Sequence, residues 1–105
     1  MSKVWIIQRL RHLNYDEARR YGEVEHICDI NDEVYSDLSR MRTENKVLDF
    51  IDKFNPDDDY VLLSGDPVII AMVFFNLEVG DRNIIRLLKW DARSGKYNPV
   101  NIIGN

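Results

Sequence analysis

Two groups of chemically capable residues each follow an apolar segment. His12, Asn14 and Asp16 come after "KVWIIQRL", and Ser64, Gly65 and Asp66 come after "YVLL". If both segments are parallel strands of one sheet, the two groups meet beyond the strand ends, where strand order reverses and α/β domains bind ligands. There His12 could serve as a general base, and the turn "SGDP" could contact a nucleotide or metabolite. Asp29 and Asp91 leave two further apolar segments on the same side, so Asp16, Asp29, Asp66 and Asp91 are a conceivable Mg²⁺ set.

Each of these readings has a plainer competitor. "SGDP" is neither GxGxxG nor GxxxxGK[ST]. Pro67 lacks an N–H, and Asp66 places a negative charge where a phosphate would sit. At about 4 Å that repulsion is worth several kcal/mol. The turn therefore reads first as a helix start, with Asp66 as N-cap and Pro67 at the first helical position. No DxD or ExxE pair supplies two metal ligands locally, so the four aspartates read as separate caps and strand ends, with no metal and no cofactor expected. His12 stands among arginines like a surface group, and His26, in mid-strand, is expected to be packed. Cys28 has no neighbouring cation and reads as a small buried hydrophobe. Ser64 lies outside any GxSxG elbow, which argues against a hydrolase.

The elements that would position these residues follow from pattern. "KVWIIQRL" is apolar on both faces over Val4–Ile7, as a central parallel strand is. Asn14 can cap a short helix with Asp16 and Glu17 in its first turn and Gly22 past its end. "EVEHICDI" alternates as a second strand nearer an edge. A helix capped by Asn31 or Asp32 then carries apolar residues at Val34, Leu38, Met41, Leu48, Ile51 and Phe54, with Arg40, Arg42, Lys46, Asp49 and Lys53 toward water. Pro56 stops it. Tyr60–Leu63 is a third strand. Val68–Val79 is apolar nearly all round, which predicts a helix largely covered by protein, closed by Gly80. "RNIIRLLKWD" and "KYNPVNII" are the last strands, joined through "ARSG" as a hairpin. Alternation of this kind predicts one α/β domain over residues 1–105, a small Rossmann-like three-layer arrangement. Its sheet would be mainly parallel, in the order 2-1-3-4, with an antiparallel C-terminal edge strand. Pro99 suits that edge.

The chain has 105 residues, 45% of them hydrophobic and 30% charged, and a net charge of -4. That is enough for one core, and the acidic balance argues against nucleic acid as a partner. With one cysteine there is no internal disulfide, which fits a reducing compartment. The longest apolar run, Val68–Phe75, is far below the about 20 residues of a membrane span. A soluble cytoplasmic protein is the expectation.

Two further features could contact a partner protein. The acidic run Asp57, Asp58 and Asp59 reads as a solvated loop or as a contact for a basic surface. Trp90, Arg93 and Tyr97, with Lys96, could form an aromatic-basic face, or Trp90 and Tyr97 could be an ordinary cross-strand pair. Trp5 reads as core.

Three segments carry a family resemblance: "VWII" followed by "HLNYDEARRYGEV", then "DDYVLLSGDP", then "IIRLLKWDARSGKY". In these the chain resembles small tailed-bacteriophage accessory proteins. The resemblance implies a phage product acting in the infected bacterial cytoplasm and implies no reaction. Two expectations result: a non-enzymatic accessory protein binding a host or phage protein, or a small nucleotide- or metabolite-binding domain using His12, Asn14, Asp16, Ser64, Gly65 and Asp66. Homo-oligomerisation through the last strand is a third possibility.

Overall fold

The structure, a computed structural model, describes residues 2–77 and 84–103. Its elements are β1 (Lys3–Gln8), a 3₁₀ helix η1 (Asp16–Tyr21), β2 (Glu23–Cys28), α1 (Asp37–Lys53), β3 (Tyr60–Leu62), α2 (Pro67–Asn76), β4 (Ile84–Asp91) and β5 (Lys96–Ile103). They form one mixed five-stranded sheet in the order β2-β1-β3-β4-β5. The pairs β1–β2, β1–β3 and β3–β4 are parallel, and β4–β5 is antiparallel. The expected order and the antiparallel terminal hairpin are both present. Arg82, Val79 and Gly80, which the sequence reading placed at element ends, lie outside the described residues.

β1 is central because it is apolar on both faces. Trp5 and Ile7 enter one cluster with Ile27, Val47, Phe50, Val61, Ile69, Val73 and Leu87. Val4 and Ile6 enter the other with Ala18, Leu62, Leu88 and Tyr97. Burying each large apolar side chain contributes about 1.5–3 kcal/mol. The chain steps from β1 outward to β2, then back across β1 to β3 and on to β4. Parallel crossovers keep one hand, so reversing the direction of travel reverses the covered face. α1 and α2 pack on the first cluster's face, and η1 on the other.

The first expected helix is thus a short 3₁₀ turn. No side chain caps its N-terminus; Asn14 instead accepts from the Asp16 N–H at 2.8 Å, an Asx turn. α1 begins later than expected. Asp32 is already engaged, accepting from the Asp29 N–H at 2.7 Å and from Lys46 at 2.7 Å. Ser36 caps the helix, in a box with Ser39.

The buried face of α1 keeps the expected Ile51 and Phe54 but is otherwise different. It is Thr43, Val47 and Phe50, with Ile51 and Phe54 packed beside them. Leu38, Met41 and Leu48 face outward. α2 is not covered all round either: Ile69 and Val73 are buried, while Val68 and Phe75 are exposed. No helix among the described residues is long and apolar enough to cross a membrane.

Candidate functional site

Beyond the end of β1, the Tyr15–Ser64 contact ties the segment after β1 to the turn after β3, and a side chain of β1 itself packs between the turns. Gln8 is buried there. Its amide nitrogen donates to the carbonyls of Asp29 (3.1 Å) and Asp32 (2.9 Å), and its Oε1 accepts from the Asp66 N–H at 2.8 Å. One side chain therefore ties together the turns that follow β2 and β3. Gly65 makes room for it: the residue has φ +105°, and a β-carbon on it would lie 2.3 Å from Gln8 Cβ. Gly65 answers a packing demand as well as a backbone one.

Ser64 is likewise buried. Its hydroxyl meets the Tyr15 hydroxyl at 2.8 Å, and Tyr15 in turn accepts from the Leu10 N–H at 2.9 Å. Asp66 accepts from the Val68 N–H at 2.8 Å as the N-cap of α2, with Pro67 at the first position. Of the six ligand-site candidates, Ser64, Gly65 and Asp66 are engaged in holding the turn. His12, Asn14 and Asp16 are exposed on the opposite loop.

An open groove of about 630 Å³ lies on the η1 side of β1 and β2. Its floor is Ile6, Val24 and His26, and Arg9, Arg11, Asn14, Asp16 and Arg19 line its rim. His12 is not part of it. His26, expected to be packed, is exposed here, because β2 is an edge strand and η1 is too short to cover it.

The aspartates are spoken for one by one. Asp29 pairs with Arg9 at 3.1 Å; the Ile30 N–H and then that guanidinium hold its carboxyl below the usual range. Asp16 pairs with Arg19 at 3.5 Å. Asp91 accepts from the Arg93 N–H at 3.0 Å, which together with Ser94 and Asn98 lowers its pKa inside the hairpin turn. Among the described residues, no group of three or more His, Cys, Asp or Glu side chains is placed to hold a metal ion. Cys28 is buried, and desolvation pushes its thiol up to about 12.

The partner-contact candidates separate into two places. Asp57 and Asp58 are exposed beside the start of β3. Asp59 is not solvated with them. It is 3% exposed and accepts from the Lys3 N–H (3.0 Å), the Trp5 indole (3.0 Å) and the Asn55 N–H (3.0 Å). Trp90 and Arg93 sit at the far end of β4. Trp90 is partly exposed and meets Tyr97 edge-on at 4.9 Å. Tyr97 itself is buried, and burial raises its phenol to about 12. Its backbone is taken by η1: the N–H donates to Glu17 at 2.9 Å, and the carbonyl accepts from Arg20 (3.0 Å) and Tyr21 (2.8 Å).

The surface that the sequence reading missed is the outer side of α1. Leu38 is 60% exposed, Met41 58% and Leu48 44%, and Tyr35 just before the helix is 87% exposed. At 100° per residue, Leu38, Met41 and Leu48 share one side, roughly opposite Thr43, Val47 and Phe50. α1 is therefore apolar on two sides and covered on one.

Comparison with known families matches residues 2–103 to the model for phage Pam3 gp32-like protein. The chain belongs to that family. No curated protein and no solved structure matches it. The segments that carried the phage resemblance prove to be the seam of this family member's fold. Tyr15 bonds Ser64, Ala18 is buried in the second cluster, and Tyr21 bonds the Tyr97 carbonyl. A β-carbon on Gly22 would lie 2.3 Å from the Ser2 carbonyl oxygen, so η1 can rejoin β2 there only through glycine.

Proposed function

We propose that this phage-family protein is a non-enzymatic accessory protein of the infected bacterial cytoplasm, and that it binds a host or phage protein through the outer side of α1. The carrying observation is the exposed apolar row Leu38, Met41 and Leu48 on a helix whose other side already serves the core. An apolar stripe left in water on an otherwise charged helix is the form of surface that docks against another protein. Arg42, Glu44 and Asp49 flank it and would form a polar rim.

The order β2-β1-β3-β4 reverses between β1 and β3, and a reversal of that kind gives the alternative its motive: a nucleotide or metabolite held by His12, Asn14, Asp16, Ser64 and Gly65. It has less support, because the Gln8, Ser64 and Asp66 side chains spend their hydrogen bonds inside the protein, on the Asp66 N–H, the Tyr15 hydroxyl and the Val68 N–H.

The test is capture from lysate of the phage-infected host, comparing the wild-type chain with Leu38→Glu/Met41→Glu. The reading expects a stoichiometric polypeptide partner retained by the wild type and lost by the variant at unchanged thermal stability. An unchanged set of captured proteins would refute it. A thermal shift with a nucleotide panel, abolished by Ser64→Ala, would favour the alternative.

A further inference from the structure

The sheet has two edges, β2 and β5. They are treated differently. On β5, the outward N–H and carbonyl of Tyr97 are consumed by Glu17, Arg20 and Tyr21, and Pro99 has no N–H to offer. These are the devices that keep an edge from pairing.

β2 carries neither device. Among the described residues it pairs with β1 on one side only. The Glu23 N–H points inward, donating to the Ser2 carbonyl at 3.1 Å. By alternation the Val24 peptide group points to the open side. Hollows flank this edge on both faces of the sheet. On the η1 face is the 630 Å³ groove over Val24 and His26. On the α1 face is a smaller one of about 240 Å³ between His26, Trp5, Phe50 and Lys53. An added strand sends successive side chains alternately to the two faces, so hollows on both sides of one free edge are what it would fill.

We infer that the β2 edge accepts an extended segment of a partner protein by strand addition, and that the segment carries carboxylates on its η1-facing side. The charge follows from the larger groove. Arg9, Arg11 and Arg19 line it with Asp16 and Glu25; Arg9 is paired with Asp29 at 3.1 Å, Arg19 with Asp16 at 3.5 Å and Glu25 with Lys3 at 3.0 Å. Arg11 has no ion-pair partner among the described residues, while the chain as a whole carries -4. The inference rests on the protein-binding reading above but uses a surface separate from α1, so either can fail alone.

The probe is a fluorescein-labelled peptide of alternating Glu and Val, with an alternating Lys and Val peptide as control. It is titrated by anisotropy against the full chain, with hydrogen exchange followed at the Val24 amide. The acidic peptide binds and protects Val24, the basic one does not, and Val24→Pro weakens binding by about tenfold or more. Should Val24→Pro unfold by circular dichroism, Arg11→Glu/Arg19→Glu decides, since it must reject the acidic peptide and accept the basic one. Equal binding of both peptides, or of neither at millimolar concentration, overturns the inference. So does Val24 protection that grows with protein concentration alone, which would make the occupant a second copy. If the peptide fails while Leu38→Glu/Met41→Glu still loses a captured partner, only the β2 assignment falls.

Discussion

The side chain of Gln8 occupies the space in which a β-carbon on Gly65 would have to sit, 2.3 Å from its own Cβ. This contact packs the turn after β3 against the end of β1, where strand order reverses. Gly65→Ala meets both the clash and an unfavourable φ of +105°. The expected loss is about 2–4 kcal/mol in urea unfolding. Gln8→Ala alone leaves the Asp66 N–H without its acceptor and should cost about 1–3 kcal/mol. Gln8→Ala/Gly65→Ala removes only the contacts with Oε1 and Cγ, at 2.6 and 3.1 Å, and keeps the 2.3 Å contact with Cβ, so the two losses should come close to their sum.

Asp59 is the second structural keystone. Asp59→Ala strands the N–H groups of Lys3 and Asn55 and the buried Trp5 indole, and an expected loss of about 3 kcal/mol follows. Trp5 fluorescence should shift to the red at the same time. Asp57→Ala and Asp58→Ala, exposed and without such partners, should stay within about 0.5 kcal/mol of the wild type.

Acid should loosen the attachment of η1 to β5. Desolvation pulls the Glu17 carboxyl upward, but the hydrogen bonds from Arg20 and from the Tyr97 N–H outweigh it, so its folded pKa lies below the ordinary 4.5. A lowered carboxylate contributes stability that is present above the unfolded value and is lost as pH falls through the folded one. Asp29 and Asp91 are shifted in the same direction. Thermal stability should therefore fall below about pH 4.5, and Glu17→Gln should be less stable at pH 7 with a flatter acid slope. An unaltered slope in the variant would show that Glu17 does not hold the β5 edge.

Cys28 should be silent in the folded protein. Its thiol is buried and pushed up to about 12, so at pH 8 a disulfide reagent should modify it only as the chain opens. The rate should rise with urea along the unfolding curve. Fast stoichiometric labelling of native protein would contradict the packing of α1 over β2.

What could be read from the sequence was what local chemistry dictates. The two-faced apolar run Val4–Ile7 named the central strand, Asp66–Pro67 named a helix start, and the "ARSG" turn named the hairpin. The face of α1 was not legible, because two apolar stripes run along it. Leu38, Met41 and Leu48 compete with Val47, Phe50 and Phe54. The deciding residue is Thr43, which looks like surface but is buried, donating to the Glu33 carbonyl at 2.8 Å. Asp59 was hidden for a related reason: nothing in "DDD" tells which carboxylate turns inward until Trp5 and Lys3 stand across from it. Gln8, which packs between the turns, sits in a strand pattern as an unremarkable polar end. No motif marks it, and only the return of the chain past Asp32 and Asp66 supplies its partners.

The proposal that α1 meets another protein is tested most directly by placing a photo-crosslinking amino acid at position 41 in the chain expressed in phage-infected cells. The same group at exposed position 93 is the control. The account predicts a discrete adduct with a single other polypeptide at 41 and none at 93. No adduct at 41, or one that forms only between two copies of this chain, would contradict it.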